Sequence, residues 1–482
     1  MDIRITAKIL SMISAVVSAG MLPPLVLAII DGTNDALSFV LSMLAGAILS
    51  FALWIYSGGK TGGYAGIREG VGVTGFSWLI ASFIGAMPYW ISGFAGYTDA
   101  FFETMSGFTT TGATIFSDIE SLPRGILLWR SITHWIGGMG IIVLSLAVLP
   151  FLGVSGMEMY KAEVPGVTAG KLTPRLHQTA AKLWGMYIAF TVTEAILLVL
   201  GGMSVFDAVC HSFSTIATGG FSTKNNSIAY FTSPYIQWVI IIFMFLSGVN
   251  FSLYFCVLRK DFRGIFDDGE FRGYLFLAVT SALAITLCLH YHRVFDEIGY
   301  IIRHSFFHVV SVMTTTGFIV EDYDLWPEFA KFIMVILMFV GASGGSTGGG
   351  CKVSRFMILG CCLKAEVMKL LHPRAVITTR FDDKPLAQET QNSAFAFFVL
   401  YMLILGVSTL VITAYDIDIL TAFTGVLTCL SNVGPGLNKL GAVENFAFLP
   451  SSVKWLLSFC MLAGRLELFA VFLLFLPSTY KK

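Results

Sequence analysis

Four ungapped stretches of fourteen residues in this chain end on glycine: DAFFETMSGFTTTG (99–112), DAVCHSFSTIATGG (207–220), HSFFHVVSVMTTTG (304–317) and TAFTGVLTCLSNVG (421–434). Their third column is apolar throughout (Phe101, Val209, Phe306, Phe423), and their eighth always carries a hydroxyl (Ser106, Ser214, Ser311, Thr428). In three copies the first column offers a helix-capping residue, Asp99, Asp207 or Thr421. The closing triplets are Thr110-Thr111-Gly112, Thr218-Gly219-Gly220, Thr315-Thr316-Gly317 and Asn432-Val433-Gly434, and none contains a carboxylate. What they offer is main-chain carbonyl oxygen, which can replace the water around a dehydrated ion. Glycine permits the backbone angles that point adjacent carbonyls the same way. A ring of carbonyls without Asp or Glu suits a large, weakly hydrated monovalent cation better than calcium.

The segment before each triplet holds about ten helix-compatible residues, a rise of about 15 Å and half the hydrocarbon thickness of a bilayer. The surrounding chain is made for lipid: 56% of its 482 residues are hydrophobic, 12% are charged and the mean hydropathy is +0.78. About ten stretches are apolar and of spanning or near-spanning length, at 8–30, 35–56, 71–92, 129–151, 183–203, 234–258, 273–290, 328–341, 394–415 and 453–476. A half-length helix between two spans must enter the membrane and turn back. The non-helical backbone at its end survives only where it is buried in protein or lines a watery cavity. Four such stretches about a hundred residues apart imply a shared cavity. The predicted architecture is an all-α polytopic membrane protein: two leading spans (1–60), then four span, pore-helix, filter, span repeats around one axis, at 61–155, 156–260, 261–375 and 376–482.

Placing the N-terminus inside puts most of the 30 basic residues on the inner side, among them Arg4, Lys8, Lys60, Lys161, Lys171, Arg175, Arg259, Lys260, the run from Lys352 to Lys384, and Lys481 and Lys482. The positive-inside rule selects this orientation. Both termini are then cytoplasmic, and the filters face outward. The first segment is longer than a signal-peptide core and lacks a clear cleavage site, so it is read as retained. A net charge of zero gives no attraction to nucleic acid. The eight cysteines form no CxxC pair and read as buried thiols. His304 and His308 have the spacing of a metal pair, without a third ligand at a motif distance.

Two features fall below the filters. The eighth segment breaks at GASGGSTGGG (341–350), where six glycines undo the helix at up to about 1 kcal/mol each. Its place in the second span of repeat three makes it a mobile loop under the filter; the alternative is a helix end followed by a flexible linker. No Gly-Lys-Ser/Thr follows, so it is not a phosphate loop. Arg465 lies near the middle of the last span, too deep to reach the interface easily, and a central arginine costs about 2.5–3.5 kcal/mol to insert. It should face the pore, where its charge raises the barrier to cations and could hold the 341–350 loop by its carbonyls, or else pair with Glu467 or Glu194.

The single-glycine filters, HSFSTIATGGFST in repeat two, IGGMGIIVL after repeat one, HPRAV and GGSTGGGCKV together resemble the TrkH branch of the Trk/Ktr/HKT potassium transporters. The resemblance covers essentially the whole chain. It implies a bacterial inner-membrane protein that transports K⁺ through a filter whose glycines are Gly112, Gly220, Gly317 and Gly434. It further implies a gate formed by the intramembrane loop (Gly344, Gly345, Gly348, Gly349, Gly350) and Arg465, a homodimer, and a cytosolic TrkA-type ring that binds the regulatory nucleotide. The chain itself has no nucleotide motif. Asn432 and Val433 depart from the threonines of the first and third filters, so the nearest alternative is a Na⁺-permissive or ion-coupled cation symporter. A remote one is an intramembrane serine protease using Ser343 of GASG, which lacks a histidine base on a neighbouring span.

Overall fold

The computed structural model describes residues 3–58, 67–140, 176–258, 261, 263–382, 384–466 and 468–475. The later part of the fourth apolar segment, the basic residues Lys60, Lys161, Lys171, Arg175, Arg259, Lys260, Lys481 and Lys482, and Glu467 lie outside these residues. Among the described residues the regular secondary structure is helical except for one short antiparallel hairpin, Arg380–Phe381 against Lys384–Pro385.

Two helices broken at Met21, Ile3–Gly20 and Leu22–Asp31, make the first leading element, and Asp35–Ser57 the second. Each of four units then repeats one order. An outer span (Ile67–Ile91, Leu176–Leu200, Gly269–Tyr291, Gln388–Thr413) is followed by a short pore helix (Tyr97–Phe108, Val205–Ile216, Ile298–Met313, Ile419–Ser431). An inner helix comes next (Arg124–Gly138, Pro234–Ser247, Glu328–Val340, Ser451–Arg465). Every outer span packs on its own pore helix, and every inner helix packs on the pore helix of the next unit; the fourth inner helix returns to the first pore helix. The circle is closed by contact. An ion pair from Lys454 to Asp99 at 2.6 Å fastens the last unit to the first.

Hydrophobic residues both fill and coat the bundle. Trp78, Tyr89, Trp129, Tyr187 and Tyr274 are buried between helices, while Leu37, Ile48, Phe51, Phe276, Leu287 and Leu410 stand exposed on outer faces. In water such a surface would aggregate; against acyl chains it costs nothing. Several hydroxyls within the spans satisfy themselves locally: Ser14, Thr74, Thr191 and Thr286 donate to the carbonyl one turn back.

Among the described residues, five helices are long and apolar enough to cross a membrane, or six counting one bent pair. The shortfall against about ten segments lies chiefly in the inner helices, three of which break partway within the described residues. Pro234–Ser247 and Phe251–Val257 meet at 92°. Glu328–Val340 gives way to the 341–350 loop before Val353–Leu371, and Ser451–Arg465 is interrupted before Phe469–Phe475. Composition signalled only the second of these breaks.

Helix starts also differ from the sequence expectation. The second and fourth pore helices are capped three residues earlier than expected, by Ser204 on the amide of Asp207 and by Asp418 on that of Thr421. The Asp207 carboxylate in turn accepts from the Ser204 hydroxyl at 2.8 Å. Asp99 lies in the first turn of its helix and is taken by Lys454.

Candidate ion pathway

All four pore helices end in one hydrogen-bond pattern. The amides of Thr110, Thr218, Thr315 and Asn432 donate to the carbonyls of Gly107, Thr215, Val312 and Cys429. The next amides, of Thr111, Gly219, Thr316 and Val433, donate to Ser106, Ser214, Ser311 and Thr428 at 2.8–2.9 Å. This is the Schellman arrangement, which requires a left-handed residue just past the helix. Thr110, Thr218, Thr315 and Asn432 supply it, with φ of 54°, 54°, 60° and 57°. Asparagine accepts that conformation readily, whereas a β-branched threonine there is an outlier worth about 1–3 kcal/mol, kept only where surroundings dictate it. The conserved geometry makes the divergent fourth filter equivalent in backbone to the others.

Two residues further on, Gly112, Gly220, Gly317 and Gly434 have φ of +83°, +84°, +77° and +101°. Their neighbours define a ring. A Cβ added to Gly112 would lie 2.2 Å from the carbonyl oxygen of Gly219, and one on Gly220 2.1 Å from that of Thr316. Likewise Gly317 backs onto the Val433 oxygen at 2.1 Å, and Gly434 onto the Thr111 oxygen at 2.6 Å. Each unit's glycine thus abuts a main-chain oxygen of the next, and the fourth closes on the first. The pore helices direct their C-terminal ends, each about half a negative charge, at this ring.

Side chains brace it from behind. The Thr109 and Thr111 hydroxyls bond at 2.8 Å, as do those of Thr314 and Thr316. Asn432 donates to the Thr111 hydroxyl at 2.9 Å and to the Met461 carbonyl at 3.0 Å. Glu103 and Arg130, 0% and 1% exposed, pair at 2.9 Å. The Glu103 carboxylate also takes the Thr114 hydroxyl and the Ile115 amide, and Arg130 reaches the Ser222 carbonyl beyond the second filter. Arg130→Met, which strands a buried carboxylate, is expected to cost ~3–5 kcal/mol of stability; a thermal unfolding midpoint equal to that of the parent protein would refute the brace.

The 341–350 loop is no surface linker: apart from Gly345, Ser346 and Gly350 its residues are buried. It lies against the ends of three pore helices. Thr347 donates its hydroxyl to the Ile216 carbonyl at 3.0 Å, the Gly349 amide donates to the Thr315 hydroxyl at 2.6 Å, and a Cβ on Gly349 would meet the Ser431 oxygen at 2.2 Å. Gly348 packs beside the Thr314 carbonyl, and the Gly345 carbonyl accepts from the Phe251 amide at 3.0 Å. Arg465 spans the fourth side: its guanidinium donates to Thr347 at 2.8 Å and to the carbonyls of Gly137 and Gly138 at 2.8 and 3.1 Å.

Gly344, Gly345, Gly348, Gly349 and Gly350 are thus brought together with Arg465 beneath the twelve triplet residues. Sequence reasoning did not single out the buried Lys352, whose ammonium bonds the Gly348 carbonyl, nor the Glu103–Arg130 pair. Both had a signal: a lysine two residues after the glycine run, and a glutamate in the middle of a pore helix. His304 and His308 do not converge on a common point, since both ring nitrogens of His308 face main-chain oxygens, of His304 and Glu321. Among the described residues no group of three or more His, Cys, Asp or Glu could hold a metal ion.

Comparison with known proteins adds three findings. The pattern of the TrkH family, described as cation transport protein, matches residues 43–480. The chain is similar to the Trk system potassium uptake protein TrkH of Salmonella typhimurium, 37% identical over 486 residues with both chains covered in full, and to TrkG of Escherichia coli K12, 35% identical over 477 residues and 98% of each chain. It superposes on the crystal structure of the potassium transporter TrkH from Vibrio parahaemolyticus with a TM-score of 0.88 and 34% identity over the whole of both chains.

Proposed function

Because the chain belongs to the TrkH family of cation transport proteins, we propose that it takes up potassium through the ring at Gly112, Gly220, Gly317 and Gly434. It is a membrane transport protein and not an enzyme. The observation that carries the reading is the closed succession of glycine against carbonyl through all four units. A ring closed by backbone holds its oxygens at set positions, so it favours an ion whose lost hydration they replace well. In this reading the three residues of each triplet form the K⁺ selectivity filter. The 341–350 loop with Arg465 is the gate below it, and the ion is cargo held by main-chain oxygens.

The division into a leading pair (1–60) and four units belongs to the same proposal, as do cytoplasmic termini, an inner-membrane location and a homodimer. The relatives are named as parts of a Trk system. We take the regulatory partner to be a cytosolic TrkA-type ring that binds the nucleotide and docks on the basic stretch 352–384. Purified protein in liposomes, with K⁺ or Na⁺ gradients and with or without that ring, tests the whole. K⁺ flux exceeding Na⁺ flux and rising with the ring is expected. Equal fluxes would favour the Na⁺-permissive alternative, and obligatory coupling to a second ion would favour a symporter.

A further inference from the structure

We propose that Glu270 is a positioning residue that latches the 341–350 loop in its blocking place, an inference that depends on that loop being the gate. One oxygen of the Glu270 carboxylate accepts two amides from opposite ends of the break: Gly344 on the entering arm at 2.6 Å and Ser354 on the leaving helix at 3.2 Å. Both donors need it. Ser354 lies in the first turn of Val353–Leu371, where amides have no partner within the helix, and the residue before that helix, Lys352, supplies no side-chain cap. Glu270 is thus a cap delivered from another helix, with its negative charge at a positive helix end.

A stretch with six glycines has many conformations open to it, and holding one of them costs entropy. Glu270 is itself held firmly. It sits in the first turn of Gly269–Tyr291, capped by Asp268 on the Phe271 amide at 2.8 Å, and two residues on Arg272 pairs with Asp382 of the hairpin at 3.2 Å. A rigid span thereby fixes the two feet of a flexible loop to each other. Release of both amides lets the loop leave the underside of the filter.

The test is K⁺ flux in liposomes without the regulatory ring, comparing the parent protein, Glu270→Gln, Glu270→Ala and a variant shortened within 344–349. Alanine removes the acceptor and is expected to raise flux about tenfold, while glutamine keeps a neutral oxygen and gives a smaller rise, because bonds to charged groups are the stronger. Ser343→Cys, in a background whose one other cysteine is the buried Cys210, should become reactive to a water-soluble maleimide when Glu270→Ala is added while Cys210 stays unreactive; general loosening would expose both. Parent-level flux in both Glu270 variants, with high flux from the shortened loop, overturns the latch alone. Unchanged flux from the shortened loop overturns the gate and the latch with it. Should the alanine variant fail to fold, glutamine against the parent decides.

Discussion

Gly112→Ser is expected to lower the preference for K⁺ over Na⁺ about tenfold, the equivalent of ~1.4 kcal/mol of differential binding. The reason is geometric. At φ +83° the residue lies where a side chain is disfavoured, and its Cβ would fall 2.2 Å from the Gly219 oxygen. The neighbouring carbonyl must swing away, and because every glycine leans on the next unit, the displacement reaches the oxygens to which the proposal assigns the ion. Preference changes more than flux, since a distorted ring still passes cations but no longer matches one radius and coordination. Reversal potentials under biionic K⁺/Na⁺ conditions measure this; an unaltered preference in folded Gly112→Ser would remove the glycine from the filter.

Arg465→Ala is expected to raise resting K⁺ flux at least about tenfold. The guanidinium donates to Thr347, Gly137 and Gly138 and so ties the loop to the first unit. Each bond from a charged donor is worth ~1.5–3 kcal/mol. Alanine loses that tie and, on the proposed pathway, also removes a positive charge from the ion's route. Arg465→Lys keeps the charge but not the planar fork, so its flux should fall between the two. A folded Arg465→Ala with the parent's flux would leave the arginine a purely structural role.

The sequence made the pore helices and their closing glycine turns legible because each motif is local: an apolar stretch, a hydroxyl, a small polar run and a glycine in fixed register. It also showed the break at 341–350, where six glycines overwhelm the helix, and the cost of burying Arg465 marked that residue. What it hid is tertiary. The bend after Ser247 has no glycine run to announce it: Gly248 keeps helical angles, and the chain turns at Asn250, which caps the Ser252 amide. Glu103 meets Arg130 from another helix, and Glu270 meets Gly344 across 74 residues. The left-handed threonines run against their own propensity: a β-branched side chain resists that conformation, which the repeated Schellman turn and the closed ring impose.

The most direct test is anomalous diffraction from crystals soaked in Rb⁺ or Tl⁺ in place of K⁺. A peak is expected on the axis within the circle of Gly112, Gly220, Gly317 and Gly434, ligated by main-chain oxygens of all four units. Ordered crystals with ions bound elsewhere and none inside that circle would contradict it.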